Sequence, residues 1–382
     1  MSRTRSSETL VMTSRKTSAK ALEEEALKEV PDNVPSILEL KKILPKHCFQ
    51  PSLVTSMYYV FKDIAIIAGL FLSILCIDHL ATKFIKFMAY PLYWYLQGTM
   101  FWAVFVLGHD CGHGSFSNYP VINDVMGNIL HSFILVPYYP WKMSHHHHHK
   151  NTGNIDKDEI FYPVRKTEGE KGGKRKHFIP FFGFGLSWFM YLFVGYSPRN
   201  VNHMNPFDKI FVRHAFRCLI SIILTSAWLG LILGFYTAKM NGITDFMFHY
   251  GIPIFVFATW LVVTTFLHHQ DENVPWYGDE KWDFVRGNLS SVDRSYGWAH
   301  SLVHNIGTHQ IHHLFIKIPH YYLEEATAVF RAKYPHLVRK SDEPILKAFV
   351  KRFFVFDAQQ WIDDDTKVHV FKESRNAEKK IN

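Results

Sequence analysis

Four apolar stretches of about 20 residues each limit the folds that this sequence can adopt. They cover residues 56–77, 87–107, 218–236 and 250–267. Each is long enough to cross a bilayer as a helix, in which the backbone makes its hydrogen bonds within the segment. Residues 78–86 join the first two stretches and are too few to form a domain. The sequence therefore predicts an all-α integral membrane protein with four transmembrane helices in two hairpins.

The distribution of charge predicts where the segments outside the spans lie. Because the number of predicted spans is even, the N-terminal tail, residues 108–217 and residues 270–382 fall on one side. That side holds most of the 42 lysines and arginines, and the positive-inside rule assigns it to the cytosol. The net charge of +8 suits anionic membrane lipids or an acidic protein partner. No segment resembles a nucleic-acid-binding module.

The polar ends of the chain are expected to flank one central domain. Residues 1–34 predict a disordered cytosolic tail, residues 35–372 the membrane domain, and residues 373–382 a second tail. The ending Lys379-Lys380-Ile381-Asn382 resembles a dilysine retrieval signal of the endoplasmic reticulum, an address read by a receptor. The alternative for localisation is the basic, acid-poor start of the chain, which weakly resembles an organelle transit peptide.

Histidine is unusually frequent, with 24 copies, and it forms three clusters. Positions i, i+3 and i+4 of a helix share one face. By this spacing the histidines that face together within their clusters are His109, His113, His145, His148, His149, His309, His312 and His313. His146 and His147 would point elsewhere. Neutral imidazole is a common transition-metal ligand, so the clusters predict a metal site.

Two further histidines compete for a ninth ligand position. His269 closes the fourth apolar stretch and is the preferred candidate, whereas His304 could ligate or could orient a ligand from behind. Nitrogen ligands disfavour calcium and magnesium, and zinc prefers four ligands. Eight or nine imidazoles therefore suit two iron ions with open coordination positions. Iron can activate dioxygen to attack an unactivated C–H bond, and an acyl chain could reach a site at the end of the apolar stretches.

Acidic residues are expected to orient the ligand imidazoles through the second ring nitrogen. The candidates are Asp110, Asp156, Asp283 and Asp293. Asp63 lies in the first apolar stretch, where a charge is costly, and should face protein or the interface. His320 is expected to be structural. The four cysteines form no Cys-x-x-Cys pair, so their spacing indicates neither a disulfide framework nor a zinc-thiolate site.

Three long motifs resemble those of the membrane-bound fatty acid desaturases. They are His109-Asp-Cys-Gly-His113-Gly-Ser-Phe-Ser, Ser144-His-x-x-His-His149-Lys-Asn-Thr-Gly, and His309-x-x-His-His313-Leu-Phe. The resemblance extends from about residue 45 to residue 372 and includes Trp282-Asp-Phe-Val-Arg-Gly287. It implies a diiron enzyme that uses dioxygen and two electrons to insert a double bond. It also implies four spans and a cytosolic helical cap that holds the irons.

Within that family, the chain resembles the methyl-end branch and is most similar to omega-3 desaturases in the spacing of His304 and His309. Ile316 and Lys317 replace a common Pro-Gln pair, which leaves the position of the new double bond open. The resemblance implies an omega-6 unsaturated acyl lipid or acyl-CoA as substrate, and cytochrome b5 with its NADH-dependent reductase as electron donor. It places the enzyme in the endoplasmic reticulum membrane with a cytosolic active site. The alternatives are a delta-12 desaturase acting on oleoyl chains, a diiron acyl hydroxylase and, in another class, a metal-binding membrane transporter.

Overall fold

A computed structural model describes residues 22–172, 180–359 and 361–372. These residues are mostly helical, as the sequence predicts. The α-helices are α1 (Ile37–Ile43), α2 (Leu53–Leu80), α3 (Lys83–His113), α4 (Pro120–Phe133), α5 (Tyr138–Asn151), α6 (Lys166–Gly172), α7 (Leu186–Val194), α8 (Ala215–Lys239), α9 (Ile243–Phe246), α10 (Ile252–His269), α11 (Phe284–Leu289), α12 (His309–Leu314), α13 (His320–Lys333) and α14 (Ile345–Ala358).

In the part of the chain that the structure describes, short strands pair into three small sheets that lie outside the long helices. The strands are β1 (Gly195–Tyr196), β2 (Arg199–Asn200), β3 (Pro275–Tyr277), β4 (Asp293–Arg294), β5 (Lys340–Ser341) and β6 (Val368–Val370). β1 pairs with β2 and β3 with β6 in antiparallel fashion, whereas β4 and β5 are parallel. The β3–β6 pair fastens the end of the described chain to the segment after α10.

Within the described residues, three helical segments are long and apolar enough to cross a membrane: Leu53–Leu80, Val212–Lys239 and Ile243–His269. They contain the first, third and fourth predicted spans. The second predicted span lies inside α3, which does not belong to this group. Every residue from Gln97 to His113 is buried, so the second half of α3 is a central helix covered by protein.

The boundaries of the first helix pair follow from local hydrogen bonds. The Ser52 hydroxyl accepts from the backbone N–H of Thr55 at the start of α2, and the Thr82 hydroxyl accepts from Ile85 at the start of α3. α3 ends at Gly114, whose φ of +67° is a left-handed conformation that glycine adopts without strain. This cap ends the helix directly after His113.

α3 and α10 lie in close contact, and this contact aligns their ends. A Cβ atom at Gly98 of α3 would lie 2.5 Å from Cβ of Val256 and 2.8 Å from the carbonyl oxygen of Pro253, so only glycine fits there. Both helices run toward the same end of the molecule, where α3 finishes in the first histidine cluster and α10 in His269. The hydrophobic core is continuous around this pair.

Part of the predicted N-terminal tail is ordered. Residues 22–27 are helical, and Ala26 is fully buried against Tyr277, Val368 and Val370 around the β3–β6 pair. Residues 22–34 thus contribute to packing, which differs from the predicted disorder, because the apolar side of this short helix covers the small sheet. The transit-like start, residues 1–21, and the dilysine ending, residues 373–382, lie outside the described residues.

Candidate metal centre

The first histidine cluster occupies the last turn of α3. His109 and His113 are four residues apart and therefore lie on one face, and their Nε2 atoms are 3.2 Å from each other. Both side chains are buried. The spacing that predicted a shared face is thus observed as a pair of facing imidazoles.

The second cluster lies on α5 and divides between two directions. His145 and His149 face each other, with Nε2 atoms 3.1 Å apart, and His148 lies beside them. His146 contacts the carbonyl oxygen of Gly112, and His147 contacts that of Lys157, both at 3.0 Å. Neither ring belongs to the groups of converging ring nitrogens, although the ring of His146 stacks on that of His113 at 5.5 Å between centroids.

The third cluster lies on the short helix α12. The Nε2 atoms of His309 and His313 are 2.9 Å apart. The helix is held at its start by Asp293, whose carboxylate accepts from the backbone N–H groups of His309 at 2.6 Å and Gln310 at 2.8 Å. Asp293 is itself paired with Arg331 at 2.8 Å. A carboxylate at this position satisfies the free N–H groups of the first turn and so fixes the direction of all three histidines.

The histidines of the three clusters converge into two adjacent groups. The first group has five members with ring nitrogens within 4.8 Å of one another: His109, His113, His145, His149 and His312. The second contains His148, His269 and His313 at the same mutual distance. The Nε2 atom of His309 joins it, at 2.9 Å from that of His313 and 3.4 Å from that of His269. All nine histidines that the sequence nominated as ligands, including His269, are therefore brought together.

The electrostatics of the two groups match what a metal ion requires. Burial lowers the pKa of His145, His149, His312 and His313 well below the usual range, and neighbouring imidazoles lower it further. The rings are therefore neutral, and a neutral imidazole has one lone pair and one N–H. Neutral rings directed at one point cannot all satisfy each other by hydrogen bonding, whereas a cation accepts several lone pairs at once. The donor set, all imidazole nitrogen, fits iron.

Two hydrogen-bond arrangements fix ring nitrogens for ligation. Nδ1 of His148 lies 2.9 Å from Oδ1 of Asp158, so Nδ1 carries the hydrogen and Nε2 keeps its lone pair. Nδ1 of His313 lies 3.1 Å from Oγ1 of Thr152 and 3.1 Å from Oδ1 of Asn288, both of which can accept. Thr152 is free to accept because its own hydroxyl donates to the carbonyl oxygen of His148. Asp158, Thr152 and Asn288 were missed in the sequence, although Asp158 follows the second cluster closely.

The acids nominated from the sequence have different roles. Asp110 contacts Nδ1 of His320 at 2.9 Å and lies 3.8 Å from Nδ1 of His109, so it does adjoin a ligand imidazole. Asp156 instead pairs with Arg165 at 2.5 Å. The expectation for Asp283 is wrong in the described structure, because its carboxylate caps α11 by accepting from Val285 and Arg286 and contacts no histidine. Asp293 acts on the backbone of α12, not on a ring.

His304 and His320 lie behind the first group. Nε2 of His304 is 2.6 Å from Oδ2 of Asp63, and both side chains are fully buried. This pair explains how α2 carries an acid, since Asp63 faces protein as expected. The rings of His304 and His320 are 4.5 Å apart, and neither belongs to the two ligand groups. The structure thus separates His269, which joins a group, from His304, which does not.

A largely apolar cavity leads to the histidines from between the long helices. Its wall includes Trp102, Phe105, Trp188, Leu261 and Val262, and five of the nine ligand candidates and His268 also line it. Glu159 also lines the cavity, and neither of its carboxylate oxygens has a hydrogen-bond partner among the residues that the structure describes. The cavity has the chemistry of an acyl-chain site, apolar along its length and polar at the histidine end.

The sequence is similar to those of several known proteins. Residues 85–341 match the fatty acid desaturase family. The chain is 40% identical over 311 residues to an sn-1 acyl-lipid omega-3 desaturase (ferredoxin) of Nostoc, covering 81% of this chain and 84% of the relative. It is 36% identical over 352 residues to an endoplasmic reticulum omega-3 fatty acid desaturase of Nicotiana tabacum, covering 88% and 90%. An Arabidopsis thaliana acyl-lipid omega-3 desaturase (cytochrome b5) is 39% identical over 296 residues, covering 76% and 74%.

These matches confirm the resemblance that the histidine motifs indicated. The family match includes the three histidine motifs and the helices that carry them. The similarity to the three relatives extends over most of both chains. The chain therefore belongs to the membrane fatty acid desaturase family, in its omega-3 branch, and is an oxidoreductase.

Proposed function

We propose that this enzyme inserts a cis double bond at the omega-3 position of an omega-6 unsaturated acyl chain, with dioxygen as oxidant. The observation that carries the proposal is the convergence of nine imidazoles, eight of them buried and that of His145 half-buried, beside an apolar cavity. The names of the omega-3 relatives support the position of the new bond. The acyl chain would be carried by a lipid, as those names state for the Nostoc and Arabidopsis relatives, with acyl-CoA as the other carrier.

Two iron ions would be held by the two groups of histidines. The first would be bound by His109, His113, His145, His149 and His312, and the second by His148, His269, His309 and His313. Bound iron supplies the dioxygen chemistry that removes one hydrogen from each of two neighbouring carbons. Burial lowers the pKa of seven of these imidazoles, which keeps them neutral. Asp158, Thr152 and Asn288 fix the directions of the His148 and His313 rings. The cavity walls hold the chain and exclude water from the reacting carbons.

The membrane arrangement is part of the proposal. α3 would be the second of four spans, paired with α2, and α8 would pair with α10. The histidine groups would then lie just outside the bilayer in a cytosolic helical cap. Apolar side chains such as Val54 and Leu72 on α2, and Phe216 and Leu231 on α8, are exposed and would contact lipid. Cysteine accessibility mapping with an impermeant reagent on both sides of sealed vesicles tests this topology.

Electrons would come from cytochrome b5 and its NADH-dependent reductase at the endoplasmic reticulum. The Arabidopsis relative is named for cytochrome b5 and the Nostoc relative for ferredoxin, so both donors need to be compared. The net charge of +8 suits an acidic donor protein. Reconstitution with each donor at low and high salt measures which one supports turnover. Turnover with ferredoxin alone would contradict the proposed donor and location.

The decisive experiment is expression in a yeast that makes no polyunsaturated lipids. Cells are fed omega-6 dienes of eighteen and twenty carbons, and the positions of new double bonds are located by mass spectrometry. Omega-3 products are expected, and the variant His312→Ala should make none while inserting normally in the membrane. A new bond in oleoyl chains would indicate delta-12 activity, and hydroxylated chains would indicate a hydroxylase. Zinc transport without acyl products would indicate a transporter.

A further inference from the structure

A third group of possible metal ligands lies on a different part of the molecule. His47, Cys48 and Glu325 each offer one ligand atom, and these three atoms lie within 4.8 Å of one another. Nε2 of His47 is 3.0 Å from both Oε1 and Oε2 of Glu325. The three residues share no member with the nine-histidine centre. They include a thiol, an imidazole and a carboxylate, which are three of the side chains that bind zinc in proteins.

The tertiary fold creates this group from segments that are far apart in sequence. His47 and Cys48 lie on the 3-10 turn Lys46–Phe49, directly before α2. Glu325 lies on α13, which begins shortly after the third histidine motif, and 278 residues separate it from His47. The rings of Tyr322 and His47 pack in a T-shaped contact, with centroids 5.2 Å apart. A metal here would connect the turn before α2 to α13.

The burial of the three side chains suits a metal ion at a surface edge. Cys48 is fully buried in a small hydrophobic cluster with Leu44, Leu323 and other apolar residues. The side chains of His47 and Glu325 are 52% and 46% exposed. One wall of the group is therefore closed and the other is open to water. An ion could enter from solvent, and a water molecule could complete its coordination.

The thiol of Cys48 needs a positive charge nearby before it can ionise. Burial first, and the Glu325 carboxylate second, raise the pKa of Cys48 to about 11. The residue is therefore a neutral thiol in the absence of metal. A divalent ion displaces such a proton because it binds the thiolate directly. The carboxylate that disfavours a free thiolate would then favour the metal by charge.

We propose that His47, Cys48 and Glu325 form a zinc site that fastens the segment before α2 to α13. Thiolate and imidazole ligands disfavour calcium and magnesium, whereas zinc binds Cys, His and Glu side chains and can take water as its fourth tetrahedral ligand. The site goes beyond the desaturase activity and does not depend on it. The spacing of the cysteines gives no sign of it, because two of the ligands come from other residue types and one from a distant helix.

The test uses cobalt(II) as a spectroscopic substitute for zinc in the purified full-length protein. Cobalt bound to a thiolate gives a sulfur-to-metal charge-transfer band in the near ultraviolet, whereas cobalt bound only to imidazoles does not. The histidine centre can therefore be loaded without producing this signal. The wild-type protein should show the band at one cobalt-thiolate per chain, and zinc should remove it by competition. Absence of the band in folded wild-type protein overturns the proposal.

Three variants identify the ligands. Cys48→Ser should lose the band, and Glu325→Gln, a partly exposed change that should not impair folding, should weaken cobalt binding about tenfold or more. Cys218→Ser is the matched control, since Cys218 is also buried but belongs to no ligand group, and it should keep the band. A band that persists in Cys48→Ser, or an unchanged affinity in Glu325→Gln, would leave His47 and Glu325 as an ordinary surface ion pair. Desaturation in yeast is measured in parallel, so that loss of zinc and loss of iron chemistry are distinguished.

Discussion

The ring of His148 is held between Asp158 and His269, with Nδ1 at 2.9 Å from the carboxylate and Nε2 at 3.2 Å from the second imidazole. The carboxylate accepts the Nδ1 hydrogen and also accepts backbone N–H groups of Gly153 and Glu159. Asp158 is fully buried, so its position is fixed by these bonds. It therefore determines the direction in which His148 presents its lone pair.

Removing the Asp158 carboxylate should weaken the second iron position. In Asp158→Ala, we expect iron affinity or activity to fall about 10- to 100-fold, because the imidazole loses its orienting partner. Asp158→Asn should retain part of the activity, since an amide oxygen can still accept the Nδ1 hydrogen. Asp156→Asn is the control, because Asp156 contacts Arg165 and no histidine. Iron content and product yield measured together check the prediction. Equal loss of iron and product in Asp158→Ala and Asp156→Asn would contradict it.

His269 and His304 should respond differently to the same substitution. His269→Gln removes a member of the second histidine group, so it should lose about one of two irons and all desaturation. His304→Gln should keep both irons, because His304 bonds to Asp63 and a glutamine amide can still donate to that carboxylate. Iron per chain, determined by elemental analysis, distinguishes them. Iron loss confined to His304→Gln would reverse the assignment of the ninth ligand.

Glu159 should destabilise the fold that contains it. Its carboxyl is buried without a hydrogen-bond partner, and replacing a buried unsatisfied group by an apolar one of similar shape removes a cost of about 1–3 kcal/mol. We therefore expect Glu159→Met to raise the thermal unfolding midpoint of the purified protein. Glu280→Met, at an exposed acid, is the control and should leave it unchanged.

The stabilisation by Glu159→Met should depend on pH. Burial first, and Asp158 second, hold the pKa of Glu159 well above its usual 4.5. Below pH 4.5 the side chain is protonated in both the folded and the unfolded chain, so the raised pKa has no effect on stability. As pH rises above it, only the unfolded chain releases the proton, and the wild-type protein loses stability. The difference in midpoint between variant and wild type should widen from pH 4.5 upward, and a constant difference would contradict a raised pKa.

Gly98 should be required for the contact between α3 and α10. In Gly98→Ala the new Cβ would lie 2.5 Å from Val256, which forces the helices apart and should cost about 1–3 kcal/mol of stability. Gly230→Ala is the matched control on α8, because no atom lies within 4 Å of a Cβ there. The control should be neutral or stabilising by up to about 1 kcal/mol. Unfolding midpoints in detergent compare the two, and equal midpoints would show that the helices tolerate the extra carbon.

Eight of the nine ligand candidates could be nominated from the sequence because the spacing within each cluster is local. His109 and His113 face each other since four residues make one helical turn, and the same spacing relates His145 to His149 and His309 to His313. Asp283 was misassigned because an acid directly before a helix often caps that helix. The neighbouring sequence does not show whether such an acid caps the helix or bonds to a distant histidine ring. Asp158 was missed because the bend of the chain after α5 brings it back to His148.

The sequence by itself determined the helical class, the apolar segments of three membrane-capable helices and the identity of the histidines, because helix periodicity and hydropathy are properties of neighbouring residues. Only the tertiary structure decided how those histidines divide into groups of five and four, and that His269 joins while His304 pairs with Asp63. It also decided that His47, Cys48 and Glu325 meet. Such contacts join residues from separate helices, and their distances depend on how the helices pack, which no short stretch of sequence specifies.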